Sequence, residues 1–313
     1  MDFAPSPRAS ELNEVRTSRR VLVTGGASGL GAALAASFLA LGDDVLIADI
    51  NEPGGFETVA DAPSSTTERT PVVEERGTSV SKPPRQPQFL KLDVRSDDDW
   101  AAARDWVERE WGGLDVLVNN AGVAGGGRID VAGMDEWEWI TGINLFGVVR
   151  GTRTFVPMFK QQRSGHVVNI ASLAGLVHPA GMGSYNAVKA GVVAFSETTG
   201  HELAQWGVRC SVVCPSYFRT RLIENMQAHQ PPGGDTEVAQ IVGGLVAAAP
   251  LGPEEIAAAV LDGMDRGEEL IIPDDAARAA YSLKLTDRAA YDRLMRKQAA
   301  RLNVLNPNHE QGR

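Results

Sequence analysis

The sequence is poor in cysteine and contains no long apolar run. Its two cysteines, Cys210 and Cys214, lie in an apolar segment that predicts a buried strand. We interpret them as core residues, and we expect neither a disulfide nor a bound metal. No apolar run approaches the roughly 20 residues of a membrane span, and Met1–Arg20 lacks the apolar centre of a signal peptide. These absences predict a cytoplasmic protein without a membrane partner.

Basic residues are also in deficit. The chain has 30 lysines and arginines against 40 aspartates and glutamates, which gives a formal net charge of −10. An acidic protein is repelled by the phosphates of nucleic acids and by anionic lipid surfaces. We therefore expect a small-molecule ligand and no nucleic-acid partner.

Apolar β-branched runs alternate with helical patterns along the chain, and this alternation predicts an α/β fold. We predict a Rossmann-like doubly wound parallel sheet of about seven strands, with helices on both faces, in a single domain over residues 19–273. Residues 1–18 lack apolar periodicity and predict a mobile extension. Residues 63–86 are rich in proline, serine and threonine and predict a mobile surface insertion of unknown purpose. Residues 274–313 predict a charged helix, Asp274–Leu302, and a tail.

A glycine-rich turn separates the first predicted strand from the first predicted helix. Thr24-Gly-Gly-Ala-Ser-Gly-Leu-Gly31 follows an apolar run and precedes the alanine-rich helix Ala32–Leu41. Glycines allow the backbone to approach a pyrophosphate, and the helix N-terminus offers it unpaired N–H groups and a partial positive charge. The turn therefore predicts a dinucleotide site with Gly25, Ser28, Gly29, Leu30 and Gly31 as contacts.

The second predicted strand, Asp44–Asp49, ends in a carboxylate eighteen residues after Gly31. A carboxylate at this place accepts hydrogen bonds from both hydroxyls of the adenosine ribose and repels a 2′-phosphate. No arginine follows Asp49 within the next few residues. Asp49 therefore favours NAD over NADP as the cofactor.

A tyrosine and a lysine four residues apart provide the candidate chemistry. Tyr185 and Lys189 fall on one face of a predicted helix, about one turn apart. A neighbouring ammonium favours the phenolate and lowers the pKa of a tyrosine from about 10. Tyr185 is therefore predicted to be a general acid/base. Taken alone, such a pair is more often a half-buried aromatic beside a solvated lysine.

Other residues follow predicted strands directly, at the edge where parallel sheets bind ligands. They are Asp93, Asn120, Ser172 and Pro215. Because parallel strands end at one edge of the sheet, we expect these residues to gather with the glycine-rich turn and Asp49.

With these motifs in this order, the chain resembles the short-chain dehydrogenase/reductase family from about Arg20 to Pro273. The resemblance rests on the glycine-rich turn, Asp93, Asn-Asn-Ala-Gly at Asn119–Gly122, Asn144, and Ser172 thirteen residues before Tyr185-x-x-x-Lys189.

The resemblance implies a catalytic set of four residues. Tyr185 exchanges a proton with the substrate oxygen, and Ser172 donates a hydrogen bond to that oxygen. Lys189 lowers the pKa of the tyrosine and binds the nicotinamide ribose. Asn144, in the middle of a long predicted helix, Met134–Arg163, is implied to hold a water that links the lysine to solvent.

Further contacts with the cofactor follow from the same resemblance. Asp93 and Val94 are expected near the adenine, Asn120 near the adenosine, and Thr220 near the carboxamide. The family usually has Pro-Gly where this chain has Pro215-Ser216, so the backbone leading to Thr220 is expected to differ locally. Subunit contacts in the family also imply a homotetramer or homodimer.

Three segments are expected to determine the substrate: Val123–Gly127, Leu173–Gly183 and residues 216–252. They are largely apolar or small, and they favour an apolar or aromatic secondary alcohol or ketone. The residues concerned are Leu176, Met182, Tyr217, Phe218, Leu222 and Met226, with Arg219 and Arg221 as exceptions. His178 is a candidate substrate contact, whereas His166 opens a strand and is expected to be partly exposed.

The predicted function is that of an NAD-dependent oxidoreductase that interconverts a secondary alcohol and a ketone. One alternative is an NADP-using carbonyl reductase, and another is a non-catalytic NAD-binding regulatory or scaffold protein on the same fold. A third is an enzyme that uses the tyrosine for epimerisation or dehydration. The complete catalytic set argues against a regulatory protein, and the lack of a larger C-terminal substrate domain argues against the third.

Overall fold

The computed structural model describes residues 17–52, 86–220 and 235–304 and contains a seven-stranded sheet. All the strands pair in parallel, in the order β3-β2-β1-β4-β5-β6-β7. The strands are β1 (Arg20–Thr24), β2 (Asp44–Asp49), β3 (Gln88–Lys91), β4 (Val116–Asn119), β5 (Gly165–Ile170), β6 (Val208–Val213) and β7 (Leu270–Ile271). This order confirms the predicted doubly wound sheet.

Helices cover both faces of the sheet. They are α1 (Gly29–Ala40), α2 (Asp97–Trp111), α3 (Met134–Asn144), α4 (Phe146–Gln162), α5 (Ala174–Val177), α6 (Gly183–Leu203), α7 (Thr236–Ala247), α8 (Pro253–Asp265), α9 (Asp275–Thr286) and α10 (Arg288–Val304). None of the helices in the described ranges is both long enough and apolar enough to cross a membrane.

The sheet has an apolar core on each face. Successive side chains of a strand point to opposite faces, so Val23 packs with Phe38 of α1, while Leu22 packs with Trp100 of α2 and Phe155 of α4. All five side chains are buried. Burial on both faces explains why the strands read as continuous apolar runs without alternation.

The strand order reverses between β1 and β4, and this reversal places the ligand crevice. Val23 of β1 lies opposite Val118 of β4, so the two strands end together. The glycine-rich turn leaves β1 at this point, and Asn120 follows β4. In open α/β sheets, the crevice outside the strand ends at such a reversal is where ligands bind.

The helix predicted over Met134–Arg163 is two helices, with the break at Leu145. Asn144 therefore ends α3 and does not lie in the middle of one helix. Its side-chain amide accepts a hydrogen bond from Val123 N–H and donates one to Val123 O, both at 2.8 Å. The break thus coincides with a long-range contact to the loop after β4, which the local sequence does not reveal.

The predicted C-terminal helix is also two helices, α9 and α10, joined at Asp287. The side chain of Asp287 accepts a hydrogen bond from Ala290 N–H, which caps the start of α10. The pair docks on α5: Lys284 donates to the carbonyl of Leu176, and the hydroxyl of Tyr291 donates to the carbonyl of Val177. Residues 275–304 are therefore packed onto the sheet domain.

His166 is buried, so the expectation of partial exposure was wrong. It opens β5, which lies between β4 and β6, and its Nε2 is 2.8 Å from Ser211 Oγ. Burial lowers the pKa of His166 to about 3, so the ring is neutral. Cys210 and Cys214 are free thiols buried in the core, in agreement with their interpretation as core residues.

Several predictions concern residues outside the described ranges. These are residues 1–16 of the predicted N-terminal extension, residues 63–85 of the predicted insertion, and Arg221, Leu222 and Met226 of the predicted substrate segment.

Candidate active site

A cleft of about 930 Å³ runs along the carboxyl-terminal edge of the sheet. Of the predicted catalytic set, Ser172, Tyr185 and Lys189 line it, and Asn144 does not. Every predicted cofactor residue except Gly31 also lines it: Gly25, Ser28, Gly29, Leu30, Asp49, Asp93, Val94, Asn120, Pro215 and Thr220. The structure thus brings together residues that are almost two hundred positions apart in the chain.

Two glycines of the turn adopt left-handed backbone conformations, with φ of +63° at Gly25 and +54° at Gly29. A Cβ on Gly25 would lie 2.8 Å from Ala121 Cα, so only glycine fits. Gly31 has another role, because a Cβ there would lie 2.1 Å from the carbonyl oxygen of Gly25. It allows α1 to pack against the turn and is not itself on the cleft.

The N-terminus of α1 opens onto the cleft. Ser28 is the N-cap residue, and its side chain makes no capping hydrogen bond. The first N–H groups of this 12-residue helix therefore keep their donor capacity beside Ser28 and Gly29 on the cleft wall. This arrangement fits the pyrophosphate of a dinucleotide.

Asn120 ties the turn to the end of β4. Its amide donates to the carbonyls of Thr24, at 2.9 Å, and Gly25, at 3.1 Å. Its backbone N–H donates to Thr24 Oγ1 at 3.0 Å. Asn120 lines the cleft as predicted, and it also holds the turn in shape, a structural role that the motif alone does not identify.

The two acidic residues predicted to contact the cofactor are held differently. Asp49 accepts hydrogen bonds from the N–H groups of Ala27, at 3.1 Å, and Asn51, at 2.9 Å, which fix its carboxylate at the end of β2. Asp93 pairs with Arg95, the guanidinium being 2.6 Å from the carboxylate. Hydrogen bonds from Arg95 lower the pKa of Asp93. The sequence reasoning did not single out Arg95, whose charge in the cleft is already paired.

Lys189 is buried beside Tyr185 on α6. Its Nζ lies 5.7 Å from the centre of the Tyr185 ring and donates to the carbonyl of Ile170 at 2.9 Å. Burial lowers the pKa of Lys189 to about 8. The amine is thus still largely protonated at neutral pH, in the position the sequence predicted.

The pKa of Tyr185 moves in the direction opposite to the prediction. Burial raises it to about 12, and a hydrogen bond with Ser172 opposes the rise. The prediction was wrong because it weighed only the nearby ammonium, whereas desolvation of the phenolate is the larger effect here. The hydrogen bond nevertheless places the hydroxyls of Ser172 and Tyr185 side by side on the cleft.

Asn144 acts on the loop after β4. Both ends of its amide bond the backbone of Val123, and its Oδ1 lies close enough to Gly122 that a Cβ there would be only 3.2 Å away. Gly122 and Val123 line the cleft. Asn144 therefore fixes the backbone of the cleft wall without lining the cleft itself. Its implied role in holding a water stays a prediction.

A buried carboxylate that the sequence reasoning missed supports the same region. Glu136 accepts a hydrogen bond from Gly126 N–H at 2.7 Å and one from the hydroxyl of Ser184 at 3.0 Å. Ser184 directly precedes Tyr185. Glu136 thus connects α3, the loop after β4 and the first turn of the helix that carries the tyrosine.

The predicted substrate residues divide into two groups. Met182, Tyr217 and Phe218 line the cleft, as expected. Leu176 is buried in the core, and Arg219 donates to the carbonyls of Ala249 and Pro250. His178 does not line the cleft; its ring bonds Gly175 O and Lys284, each at 3.1 Å.

The sequence reasoning missed most of the far wall, which three helices provide. The lining residues of α7, which lie within the predicted segment 216–252, are Val238, Ile241, Val242, Leu245 and Val246. Those of α9 and α10, which were not predicted, are Ala280, Leu283, Tyr291, Leu294, Met295, Gln298, Arg301 and Leu302. The only available signal was the helical spacing of apolar residues in the C-terminal segment, which predicts that one face is covered. Within the described residues, no three His, Cys, Asp or Glu side chains are grouped to hold a metal ion.

A model of the short chain dehydrogenase family matches residues 19–231, more than half of the chain. The chain belongs to this family. The 3beta-hydroxysteroid dehydrogenase 2 of Eggerthella lenta is 31% identical over 279 residues, which cover 86% of this chain and 98% of that protein. The cyclopentanol dehydrogenase of Comamonas testosteroni is 30% identical over 206 residues, or 66% and 75% of the two chains.

A solved family structure is similar over most of the chain. The short chain dehydrogenase/reductase of Burkholderia phymatum, in complex with NAD, is 26% identical and superposes with a TM-score of 0.72, covering 87% of this chain and 95% of that chain. The family membership confirms the resemblance that the motifs indicated and makes this protein an oxidoreductase of that family.

Proposed function

We propose that the protein is an NAD-dependent dehydrogenase that interconverts an apolar secondary alcohol and the corresponding ketone, with Tyr185 as the general acid/base. The observation that carries this proposal is the meeting of Ser172, Tyr185 and Lys189 in the cleft that also holds the open N-terminus of α1. The relatives named for hydroxysteroids and cyclopentanol support an alcohol as substrate.

The residues present fit NAD. The left-handed glycines and the first N–H groups of α1 suit a pyrophosphate, and the oriented carboxylate of Asp49 suits the two hydroxyls of the adenosine ribose. A 2′-phosphate would face the charge of Asp49, whereas the nearby Arg95 is engaged by Asp93. When bound, NAD supplies the acceptor for the hydride that leaves the carbinol carbon.

The chain's own residues handle the proton and the oxygen. In alcohol oxidation, the phenolate of Tyr185 takes the hydroxyl proton of the substrate, and Ser172 donates a hydrogen bond to the oxygen on which charge develops. Lys189, largely an ammonium at neutral pH, favours the phenolate over the phenol and so acts against the burial that raises the pKa of Tyr185. In ketone reduction, the phenol of Tyr185 returns the proton to the oxygen.

Absorbance at 340 nm tests the proposal directly. The purified protein is offered NAD or NADP with cyclopentanol, aliphatic secondary alcohols and multi-ring hydroxysteroids. We expect reduction of NAD by at least one of them and much weaker reduction of NADP. Equal use of both cofactors would overturn the role of Asp49, and calorimetric binding of NAD without any turnover would favour the regulatory alternative. The oligomeric state, a homotetramer or homodimer, stays a prediction that light scattering can test.

A further inference from the structure

Helix α10 is strongly basic although the protein is acidic. It contains five basic residues and one acidic residue, while the whole chain has a formal net charge of −10. The basic residues are Arg288, Arg293, Arg296, Lys297 and Arg301. Because like charges on one helix add to the local potential, this part of the cleft edge attracts anions that the rest of the surface repels.

One face of α10 forms a wall of the cleft. The residues on that face, Tyr291, Leu294, Gln298 and Arg301, recur every three or four positions, as the helical repeat requires. Both ends are fixed to the segment between Ser172 and Tyr185. Tyr291 bonds the carbonyl of Val177, and Leu302 packs so close to Gly181 that a Cβ there would lie 2.8 Å from Leu302 Cδ1. Arg301 is therefore held in the part of the cleft that α7, α9 and α10 line, here called the substrate half.

The charges along the cleft are unevenly distributed. Asp49, Asp93 and Arg95 lie in the part formed by strand ends and the glycine-rich turn, here called the cofactor half, and Lys189 belongs to the proposed catalytic set. Among the described residues that line the substrate half, Arg301 is the one with a charged side chain. Arg301 thus places a positive charge at the end of a mainly apolar wall.

Arg301 also differs from other arginines of the helix pair. Arg278 pairs with Asp275, and Arg288 pairs with Asp292. Within residues 17–52, 86–220 and 235–304, no carboxylate forms an ion pair with Arg301. A guanidinium presents a planar set of donors that matches a carboxylate in bidentate geometry.

We propose that Arg301, with Gln298 one turn before it, binds a carboxylate of the substrate at a distance from the reacting carbon. This inference rests on the proposed function and narrows it to apolar alcohols or ketones that carry a carboxylate. The alcohol end lies at Ser172 and Tyr185, the apolar body lies along Leu294 and Met295, and the carboxylate reaches α10.

The test compares matched pairs of substrates. Each pair is a hydroxy carboxylic acid and its neutral carboxamide, built on one ring or on four rings so that the distance from carbinol carbon to carboxylate varies. We expect the wild-type kcat/KM to be about tenfold higher for the acid than for the amide in at least one pair, because hydrogen bonds to charged groups are the stronger ones. High salt should reduce this preference.

Two single substitutions make the test specific to the residue. Arg301→Gln should remove the preference for the acid by lowering the kcat/KM of the acid to near that of the amide. Arg296→Gln removes the same charge from the same helix at a position that does not line the cleft, and it should keep the preference. The thermal midpoints of the three proteins show whether the helix is intact.

The outcomes separate this inference from the proposed function. If the wild type oxidises the alcohols without any preference for the acid, or if Arg301→Gln retains the preference, the carboxylate site is wrong and the dehydrogenase stands. If no alcohol is oxidised, the proposed function fails. Calorimetry then measures the affinity of the protein for the acid and the amide of each pair, and so tests the carboxylate site without turnover. Equal affinity of the wild type for acid and amide would overturn the carboxylate site. A higher affinity for the acid that is lost in Arg301→Gln would support it.

Discussion

The two halves of the cleft are built in different ways. The cofactor half consists of strand ends and tight turns, where backbone geometry decides which residues fit: Gly25 and Gly29 have positive φ, and Gly31 is in close contact with Gly25 O. The substrate half consists of helices α7, α9 and α10, where side-chain packing decides. A wall of the first kind tolerates few residue types at each position, so it can be recognised as a sequence motif. A wall of the second kind tolerates many apolar residues, so it has no recognisable motif.

The same difference separates chemistry from selectivity. The proposed catalytic residues lie at the boundary of the halves, with Ser172 after β5 and Tyr185 and Lys189 on α6. In the proposed function they act on any alcohol, whereas the helix pair selects which alcohol fits. Substitutions in the two halves should therefore affect different kinetic quantities, and four predictions test this, from the largest expected effect to the smallest.

Replacing Tyr185 with phenylalanine should remove turnover with every alcohol. We expect kcat to fall by roughly 10²- to 10⁴-fold, the usual contribution of a general acid/base, with unchanged NAD affinity in calorimetry. The matched control is Tyr217→Phe, which removes another hydroxyl from the same cleft, one that donates to the sulfur of Met182 at 3.7 Å. A Tyr185→Phe protein as active as the wild type would refute the mechanism.

Replacing Ser172 with alanine should lower kcat by about 10²-fold, the effect of removing one donor to a developing oxyanion. It should also change the pH profile. The hydrogen bond from Ser172 lowers the pKa of Tyr185, so its loss raises that pKa further above the ordinary value. Alcohol oxidation requires the phenolate, and its rise with pH should therefore move to higher pH in the variant. An unmoved profile would mean that another group titrates.

What the sequence predicts follows the same division. The glycine-rich turn, Asp49 and the tyrosine–lysine pair were identified because their chemistry depends on a few residues at fixed spacing. Leu283, Met295 and Arg301 were not, because an apolar or basic position on a helix looks the same whether it faces a cleft, a core or solvent. The break at Leu145, the burial of His166 and the raised pKa of Tyr185 depend on residues distant in sequence.

Replacing Asp49 with asparagine tests the cofactor half without touching the chemistry. The ratio of kcat/KM for NAD to that for NADP should fall by about tenfold, because the variant loses a charged acceptor for the ribose and no longer repels a 2′-phosphate. Asp44→Asn is the control, since Asp44 begins the same strand and bonds Ser18 away from the cleft. If the NAD-to-NADP ratio fell equally in Asp49→Asn and Asp44→Asn, the cause would be the loss of a negative charge in general and not the position of Asp49.

Replacing Leu283 with alanine tests the substrate half and should have the smallest effect. Leu283 lines the cleft from α9, whereas Leu285 on the same helix is 66% exposed and does not line it. Partial loss of an apolar contact should raise KM about threefold for a multi-ring alcohol, since a buried methylene contributes about 0.8 kcal/mol. Cyclopentanol has a single small ring, and we expect it to show no change; Leu285→Ala should change the KM of neither alcohol. If KM rose equally for both alcohols in Leu283→Ala, the helix pair would support the fold without selecting the substrate, and the two halves would not differ as their construction indicates.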